Sequence, residues 1–178
     1  MKFSAKDTAL IALMAVVIAA CSWISIPATV PFTLQTLGIF MALRLLGGKK
    51  GTLSILVYIL LGAVGLPVFS GFAGGLGKLM GPTGGYILGF LAAGVVYALL
   101  EKVPKHGRIM DYVRMSAGLL TCYVLGTAWF YYSYGVKNAM GLGAVLTACV
   151  VPFLLPDAVK IVLAQLLAEK LQKKMKLV

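Results

Sequence analysis

Acidic residues and histidine are scarce in this chain of 178 residues, which contains five Asp and Glu residues in total and one His. The single histidine, His106, lies in a basic stretch, so we expect no histidine-based triad or metal site in the apolar part of the chain. No two carboxylates are placed as a pair for acid–base catalysis, and no GxxxxGK[ST] nucleotide loop occurs. We therefore predict a protein that binds a molecule without transforming it, with no cofactor, no metal and no energy source of its own.

Cysteine is also rare. Cys21, Cys122 and Cys149 all fall in apolar stretches and have neither the spacing of a metal site nor that of a disulfide framework. We expect them to be buried, reduced thiols.

Long apolar runs dominate what is present, with 61% hydrophobic and 12% charged residues, far from a soluble average. Lys, Arg, Asp and Glu are absent from the ranges 8–43, 51–77, 79–100 and 115–136. A helix needs ~20 mostly apolar residues to cross a bilayer, so the first range is long enough for two helices. We predict an all-α membrane protein with six transmembrane helices, forming a single domain over residues 1–178.

The basic residues are distributed unequally between the two sides of the predicted spans. Of 16 Lys and Arg residues, 13 fall on one side: Lys2, Lys6, Arg44, Lys49, Lys50, Lys102, Lys105, Arg108, Arg114, Lys170, Lys173, Lys174 and Lys176. The opposite loops hold only Lys78 and Lys137. Cytoplasmic loops carry such an excess, so we expect both termini in the cytoplasm and no nucleic-acid surface.

The predicted spans are unequal. The first runs from Thr8 to Ile26, and the second covers about 14 residues up to Arg44. The third, fourth and fifth cover residues 51–66, 84–100 and 115–133, and the sixth runs from Pro156 to the terminal lysines. The second is short for a full crossing. The charge-free connection before it contains Pro27 and Pro31, and we expect it to pack back into the protein as irregular backbone. An aromatic cluster at 129–134 is typical of an interfacial belt.

The glycine-rich segment, residues 65–86, also contains large apolar side chains such as Phe69, Phe72 and Met80. Flexible linkers are polar, so this segment should be ordered. Glycine permits close approach of the backbone to a ligand. We interpret the segment as a lid or gate, with a plain interfacial loop as the alternative.

Small residues four positions apart, such as Ala15 and Ala19, share one face of the first span. Such a face lets another helix approach closely. The spacing fits packing within the bundle and docking of another subunit equally well.

Asp157 and Lys160 are charges inside an apolar region, and their i, i+3 spacing makes them neighbours on a helix face. Ionisable residues within a membrane usually face a cavity or one another. The pair could be a purely structural one, or it could form a site in which the lysine meets a polar or anionic small molecule.

Three stretches follow one another over nearly the whole chain: Pro31-Phe-Thr-Leu-Gln-Thr36, the run from Gly62-Ala-Val-Gly-Leu-Pro-Val-Phe69 to Gly81-Pro-Thr-Gly-Gly-Tyr86, and Leu155-Pro-Asp-Ala-Val-Lys160. Together they resemble the BioY family, the biotin-binding S components of energy-coupling factor (ECF) transporters. The Gly-Pro-Thr-Gly-Gly-Tyr element is the most specific of them.

The resemblance implies an S-component-like bundle of six helices in a prokaryotic cell membrane. Such a subunit captures biotin from outside and works with an energising module of a transmembrane T subunit and two ATPase subunits. The resemblance further implies that Ala15 and Ala19 dock on the T subunit. The implied ligand contacts are Thr33, Gln35, Phe72, Gly74, Gly75, Tyr86, Asp157 and Lys160.

The expected roles follow from the functional groups of biotin. We expect Lys160 to pair with the carboxylate or to orient Asp157, and Asp157 or Gln35 to form hydrogen bonds with the ureido group. A secondary transporter or channel is disfavoured by the single membrane acid, and a membrane enzyme by the missing catalytic groups.

Overall fold

A computed structural model of the chain describes residues 3–104 and 107–175. The predictions for Lys2, Lys105, His106 and Lys176 lie outside the described residues. Within them, the predicted helical fold class is confirmed. Two strands of two residues each are the exception to an all-α chain.

Helix α1 spans Ala5–Trp23, so it begins and ends three residues earlier than predicted. Its start is set by a capping box, in which the Ser4 side chain accepts a hydrogen bond from the Asp7 amide and the Asp7 carboxylate accepts one from the Ser4 amide. This arrangement satisfies two amides that have no partner in the first turn of a helix.

The charge-free connection after α1 forms a small hairpin. Strand β1 (Ser25–Ile26) pairs antiparallel with β2 (Phe32–Thr33). The Leu34 amide donates to the Ile24 carbonyl and closes the hairpin. The prediction of irregular backbone packed into the protein was therefore wrong, because the two strands pair their own backbone groups and residues 26–29 are exposed.

Helix α2 (Gln35–Ala63) contains a break at Gly47, where φ is 78° and ψ is 165°. We call the two parts α2a (35–46) and α2b (48–63). As predicted, α2a is short, ~18 Å long as a helix. A β-carbon at Gly51 would lie 2.7 Å from the Leu43 α-carbon, so the tight junction after the break requires glycine.

The glycine-rich segment is ordered, as expected. Phe69 pairs with Ala73 in an isolated bridge, and helix α3 covers Leu76–Met80. Phe69 is fully buried, packing on Gly62 and edge-on against Tyr58. The start of the segment is therefore fixed to α2b, while Phe72 and Met80 are exposed.

Helix α4 spans Gly84–Leu100, and α5 spans Arg108–Phe130. Arg108 and Arg114 were predicted to lie between the fourth and fifth spans, and this placement was wrong. Both lie on α5, and the buried Arg114 forms an ion pair with Asp111 one turn earlier. Because Asp111 neutralises Arg114, the charge of Arg114 can be buried within a helix that begins at Arg108.

A π-helical turn (Tyr131–Gly135) and a 3-10 turn (Val136–Asn138) follow α5 and lead to α6 (Leu142–Cys149). Helix α7 spans Val151–Met175. The predicted start of the last span at Pro156 was wrong, because the break falls at Val150 and Pro152 occupies the first turn. Proline is tolerated there, whereas Pro156 removes one hydrogen bond within the helix.

Three helical stretches in the described part of the chain are long and apolar enough to cross a membrane: Ala5–Trp23, Gln35–Ala63 and Leu142–Lys174. Gly84–Leu100 is a shorter apolar helix. The number of crossings and the side of each end stay predictions. We call the end of the bundle that carries Arg44, Lys49, Lys102, Arg108 and Lys173 the basic end, and the opposite one the cavity end.

Candidate functional site

A cavity of about 640 Å³, counted out to its mouth, lies at the cavity end between α2a, α4, α5 and α7. The β-hairpin and Ser70 of the glycine-rich segment border it. Most of the wall is apolar, and the polar side chains on it include Thr33, Gln35, Thr36, Thr83, Tyr86, Tyr123, Asp157 and Lys160. Its mostly apolar wall and its few convergent polar groups are typical of a small-molecule site.

Asp157 receives hydrogen bonds from three helices. Lys160 Nζ lies 2.7 Å and Thr36 Oγ1 3.0 Å from Oδ1, while the Tyr123 hydroxyl donates to Oδ2 at 2.6 Å. Asp157 is 2% exposed and Lys160 4%. The cost of burying a carboxylate in such a position is offset because the carboxylate is ion-paired and both of its oxygens accept hydrogen bonds. We call Thr36, Tyr123, Asp157 and Lys160 the cavity cluster.

Lys160 also lies over an aromatic ring. Its Nζ is 4.4 Å from the centroid of Phe32, which stacks on Phe153 at 5.8 Å. The ring face attracts the ammonium group. The ammonium is therefore held between Asp157 and the hairpin, at the wall of the cavity.

The other cavity residues predicted from the sequence are fixed by hydrogen bonds. Gln35 Nε2 donates to the Tyr58 hydroxyl at 2.8 Å. Thr33 Oγ1 accepts a hydrogen bond from the backbone N–H of Gln35 at 3.2 Å. The hydroxyl of Tyr86 lies 3.0 Å from Thr127 Oγ1. These bonds set the orientation of each polar group before a ligand enters.

Phe72, Gly74 and Gly75 do not line the cavity. Phe72 is 64% exposed and stacks on Trp23 with ring centroids 5.3 Å apart. The Gly75 amide donates to the Gly62 carbonyl at 2.7 Å, and Gly74 packs against the Leu66 carbonyl. The structure thus brings together five of the eight predicted contact residues and leaves these three outside.

Two tryptophans hold the glycine-rich segment near its two ends. Trp23 at the end of α1 donates its indole N–H to the Pro67 carbonyl at 2.8 Å. Trp129 near the end of α5 donates to the Gly81 carbonyl at 2.9 Å. The chain between these two anchors borders the cavity through Ser70.

Ala15 and Ala19, predicted to dock a partner, are 1% and 4% exposed. They face the bundle because α1 packs this side on α2, where Gly38 closely approaches Ile18. Packing within the bundle therefore accounts for the small residues in this conformation. The side chains that α1 turns outward include Leu13 and Val16.

Thr36 and Tyr123, whose side chains donate hydrogen bonds to Asp157, were not predicted from the sequence. Thr36 lies next to Gln35 in the quoted motif, and Tyr123 carries a hydroxyl group in the fifth predicted span, as do Thr121 and Thr127. A polar group in such a span needs a partner. That requirement was the available signal, but it does not identify which partner.

A second group of charges lies at the basic end and joins the same helices. We call it the basic-end cluster: Arg44, Arg108, Asp111, Arg114, Gln165 and Glu169. Asp111 forms ion pairs with Arg44 and Arg114, both at 3.1 Å. Arg44 also donates to Gln165 at 3.0 Å, and Glu169 receives two hydrogen bonds from Arg108.

Comparisons with known proteins agree on one family. The family model described as "BioY family" matches residues 1–177. A probable biotin transporter BioY of Pyrococcus horikoshii is 40% identical, over 94% of this chain and 97% of its own length. The biotin transporter BioY of Thermotoga maritima is 42% identical, over 85% and 87%.

Solved structures show the same fold. A crystal structure described as the S component for biotin from an ECF-type ABC transporter superposes with a TM-score of 0.83 and 26% identity, covering 97% of this chain and 95% of that one. The S component of a bacterial ECF transporter has a TM-score of 0.59 at 14% identity, covering 96% and 95%. The second match concerns the fold alone.

Proposed function

Because the chain belongs to the BioY family, we propose that it is the biotin-binding S component of an ECF-type vitamin importer and not an enzyme. The observation that carries the proposal is the buried Asp157–Lys160 ion pair on the wall of a mostly apolar cavity. An apolar wall suits the bicycle and alkyl chain of biotin, and a few fixed polar groups suit its ureido group.

The ion pair fits the ureido end of biotin better than the carboxylate. Asp157 and Lys160 are 2.7 Å apart, so they present an acceptor and a donor side by side. A ureido group has adjacent N–H and C=O groups and no charge. A ligand carboxylate at the same place would be repelled by Asp157. We therefore assign the ureido group to the pair and direct the carboxylate towards the mouth.

The roles of the surrounding residues follow from this orientation. Thr36 and Tyr123 hold both carboxylate oxygens of Asp157, so the acceptor does not have to reorganise when biotin binds. Gln35, which is hydrogen-bonded to Tyr58, lies on the same wall and provides a further hydrogen-bonding group for the ureido end. The apolar residues Ile87, Phe90 and Leu119 enclose the sulfur-containing ring.

Transport requires a partner, because the proposed S component lacks a nucleotide loop. We propose that a transmembrane T subunit and two ATPases supply the energy, and that the chain lies in a prokaryotic cell membrane with both termini cytoplasmic. The excess of Lys and Arg at the basic end supports this orientation.

Biotin binding to the purified chain tests the function. We expect biotin to copurify with the chain and to be detected by mass spectrometry after denaturation. ATP-dependent uptake should occur only when the energising module is added. Purified chain that binds neither biotin nor its carboxamide would refute the proposal.

The ligand orientation is tested by comparing biotin with its neutral carboxamide. If the ureido group meets the pair, Lys160→Ala weakens the binding of both ligands by the same factor. A loss confined to biotin would place the carboxylate at Lys160 and reverse the orientation.

A further inference from the structure

An apolar groove of about 780 Å³, counted to its open side, runs between α2b and α4 at the basic end. Its walls include Leu53, Val95 and Leu99, and Lys49 and Lys102 border it. An adjoining cavity at the break in α2 is also lined by these two lysines. The groove lies on the opposite end of the bundle from the biotin cavity.

The groove follows from the close packing of the two helices. A β-carbon at Gly48 would lie 2.4 Å from the Ala98 α-carbon, and one at Gly94 would lie 2.7 Å from Thr52 Oγ1. Because the residues at the helix contact are small, the larger side chains of Leu53, Val95 and Leu99 form the walls of the groove on either side. The Thr52 hydroxyl bonds to the Gly48 carbonyl, so the groove wall presents no free donor at this point.

The two lysines at the end of the groove outnumber the acidic side chain that borders them. Among the residues that the structure describes, neither Lys49 nor Lys102 forms an ion pair, and both are exposed. The neighbouring Lys50 is paired with Asp7. The Glu101 carboxylate, which accepts the Gly48 amide at 2.7 Å, also borders the lysines, so the three side chains together carry a net charge of one positive unit.

We propose that this groove binds an anionic phospholipid. An acyl chain would lie against Leu53, Val95 and Leu99, and the phosphate would lie between Lys49 and Lys102. Charge complementarity selects this occupant, because an apolar channel that ends in two cations at a membrane boundary matches a lipid with a negative headgroup. The site is independent of biotin binding.

Lipid retention by the purified chain tests the proposal. The delipidated protein is titrated with phosphatidylglycerol or phosphatidylcholine, and bound lipid is counted by native mass spectrometry. We expect preferential retention of phosphatidylglycerol, and the double variant Lys49→Gln/Lys102→Gln should weaken it about tenfold or more, since each lysine contributes to headgroup attraction. Val95→Trp should lower retention of phosphatidylglycerol by filling the groove.

The matched control is Lys170→Gln/Lys173→Gln, which removes two exposed lysines on α7 that line neither the groove nor the adjoining cavity. It should retain phosphatidylglycerol like the unmodified chain, and all variants should keep their biotin affinity as evidence of folding. Equal retention of the two lipids, or equal losses in both double variants, would overturn the proposal. The proposal would also be overturned if Lys49→Gln/Lys102→Gln retained lipid normally but assembled less well with the energising module. That result would mean that the groove docks a protein.

Discussion

Helices α2a, α5 and α7 are joined by polar side chains at two levels, which lie ~12 Å apart along α7, between Asp157 and Gln165. Each level takes at least one residue from each helix. At the cavity cluster, Thr36 and Tyr123 meet a carboxylate on α7. At the basic-end cluster, arginines on α2a and α5 meet a carboxylate that α5 itself supplies.

The two levels differ in their surroundings. The basic-end cluster has three arginines and two carboxylates that pair with one another, and it lines an open, mostly polar cavity. The cavity cluster has one carboxylate and one ammonium, and both line the mostly apolar cavity. We therefore expect ligand binding at the cavity cluster and a structural role for the basic-end cluster. The following variants test this division.

Lys160→Ala should have the largest effect on ligand binding. It leaves Asp157 buried without its counter-charge and removes the donor from the cavity wall. Loss of one partner of a buried pair costs several kcal/mol, so biotin affinity should fall well over tenfold, on the order of a hundredfold. Calorimetric titration of the purified chain measures this, with Lys170→Ala as the control. An unchanged biotin affinity would show that the cavity cluster is not part of the biotin site.

Asp111→Asn should instead lower stability. The substitution removes the carboxylate that Arg44 and Arg114 share, and the free energy of unfolding should fall by about 3 kcal/mol. Unfolding in detergent, followed by circular dichroism, provides the measurement. Biotin affinity of the folded fraction should change less than about threefold, given the ~12 Å between the levels. A large loss of affinity at full stability would show that the basic end takes part in binding.

Tyr123→Phe should have a smaller effect on binding than Lys160→Ala. It removes one hydrogen bond to Asp157 Oδ2 while Thr36 and Lys160 remain on Oδ1. A hydrogen bond to a charged group contributes about 1.5 kcal/mol, so biotin affinity should fall about tenfold. Tyr132→Phe, on an exposed tyrosine, is the control. Equal affinities of the two variants would mean that Tyr123 does not position Asp157.

Phe72→Ala should have the smallest effect, less than about threefold in biotin affinity, because Phe72 stacks on Trp23 outside the cavity. The same calorimetric titration checks this. A drop comparable to that of Tyr123→Phe would show that the glycine-rich segment moves Phe72 onto the bound ligand.

Sequence periodicity and charge were sufficient to predict the helical architecture, the short second span and the buried pair on α7. These features depend on neighbours within a few residues, as in the i, i+3 spacing of Asp157 and Lys160. The start of α7 was misplaced because two prolines, Pro152 and Pro156, could each begin a helix. Only the break at Val150 decides between them.

Contacts between distant parts of the chain could not be predicted. Thr36 and Asp157 are 121 residues apart, and nothing in either local sequence specifies their hydrogen bond. The buried position of Arg114 was missed for a related reason, since its charge was assigned to solvent until its pairing with Asp111 was known. Likewise, the small residues of α1 fit two partners, and only the fold shows that α2 covers Ala15 and Ala19.

The two indole anchors of the glycine-rich segment have an optical consequence. Trp23 and Trp129 are the two tryptophans of the sequence, and each donates to a carbonyl of that one segment. Tryptophan emission from the unlabelled chain therefore originates at the two points where the segment is held. Any displacement of the segment that breaks either hydrogen bond changes the surroundings of an emitting ring, so intrinsic fluorescence reports on this region without an introduced dye.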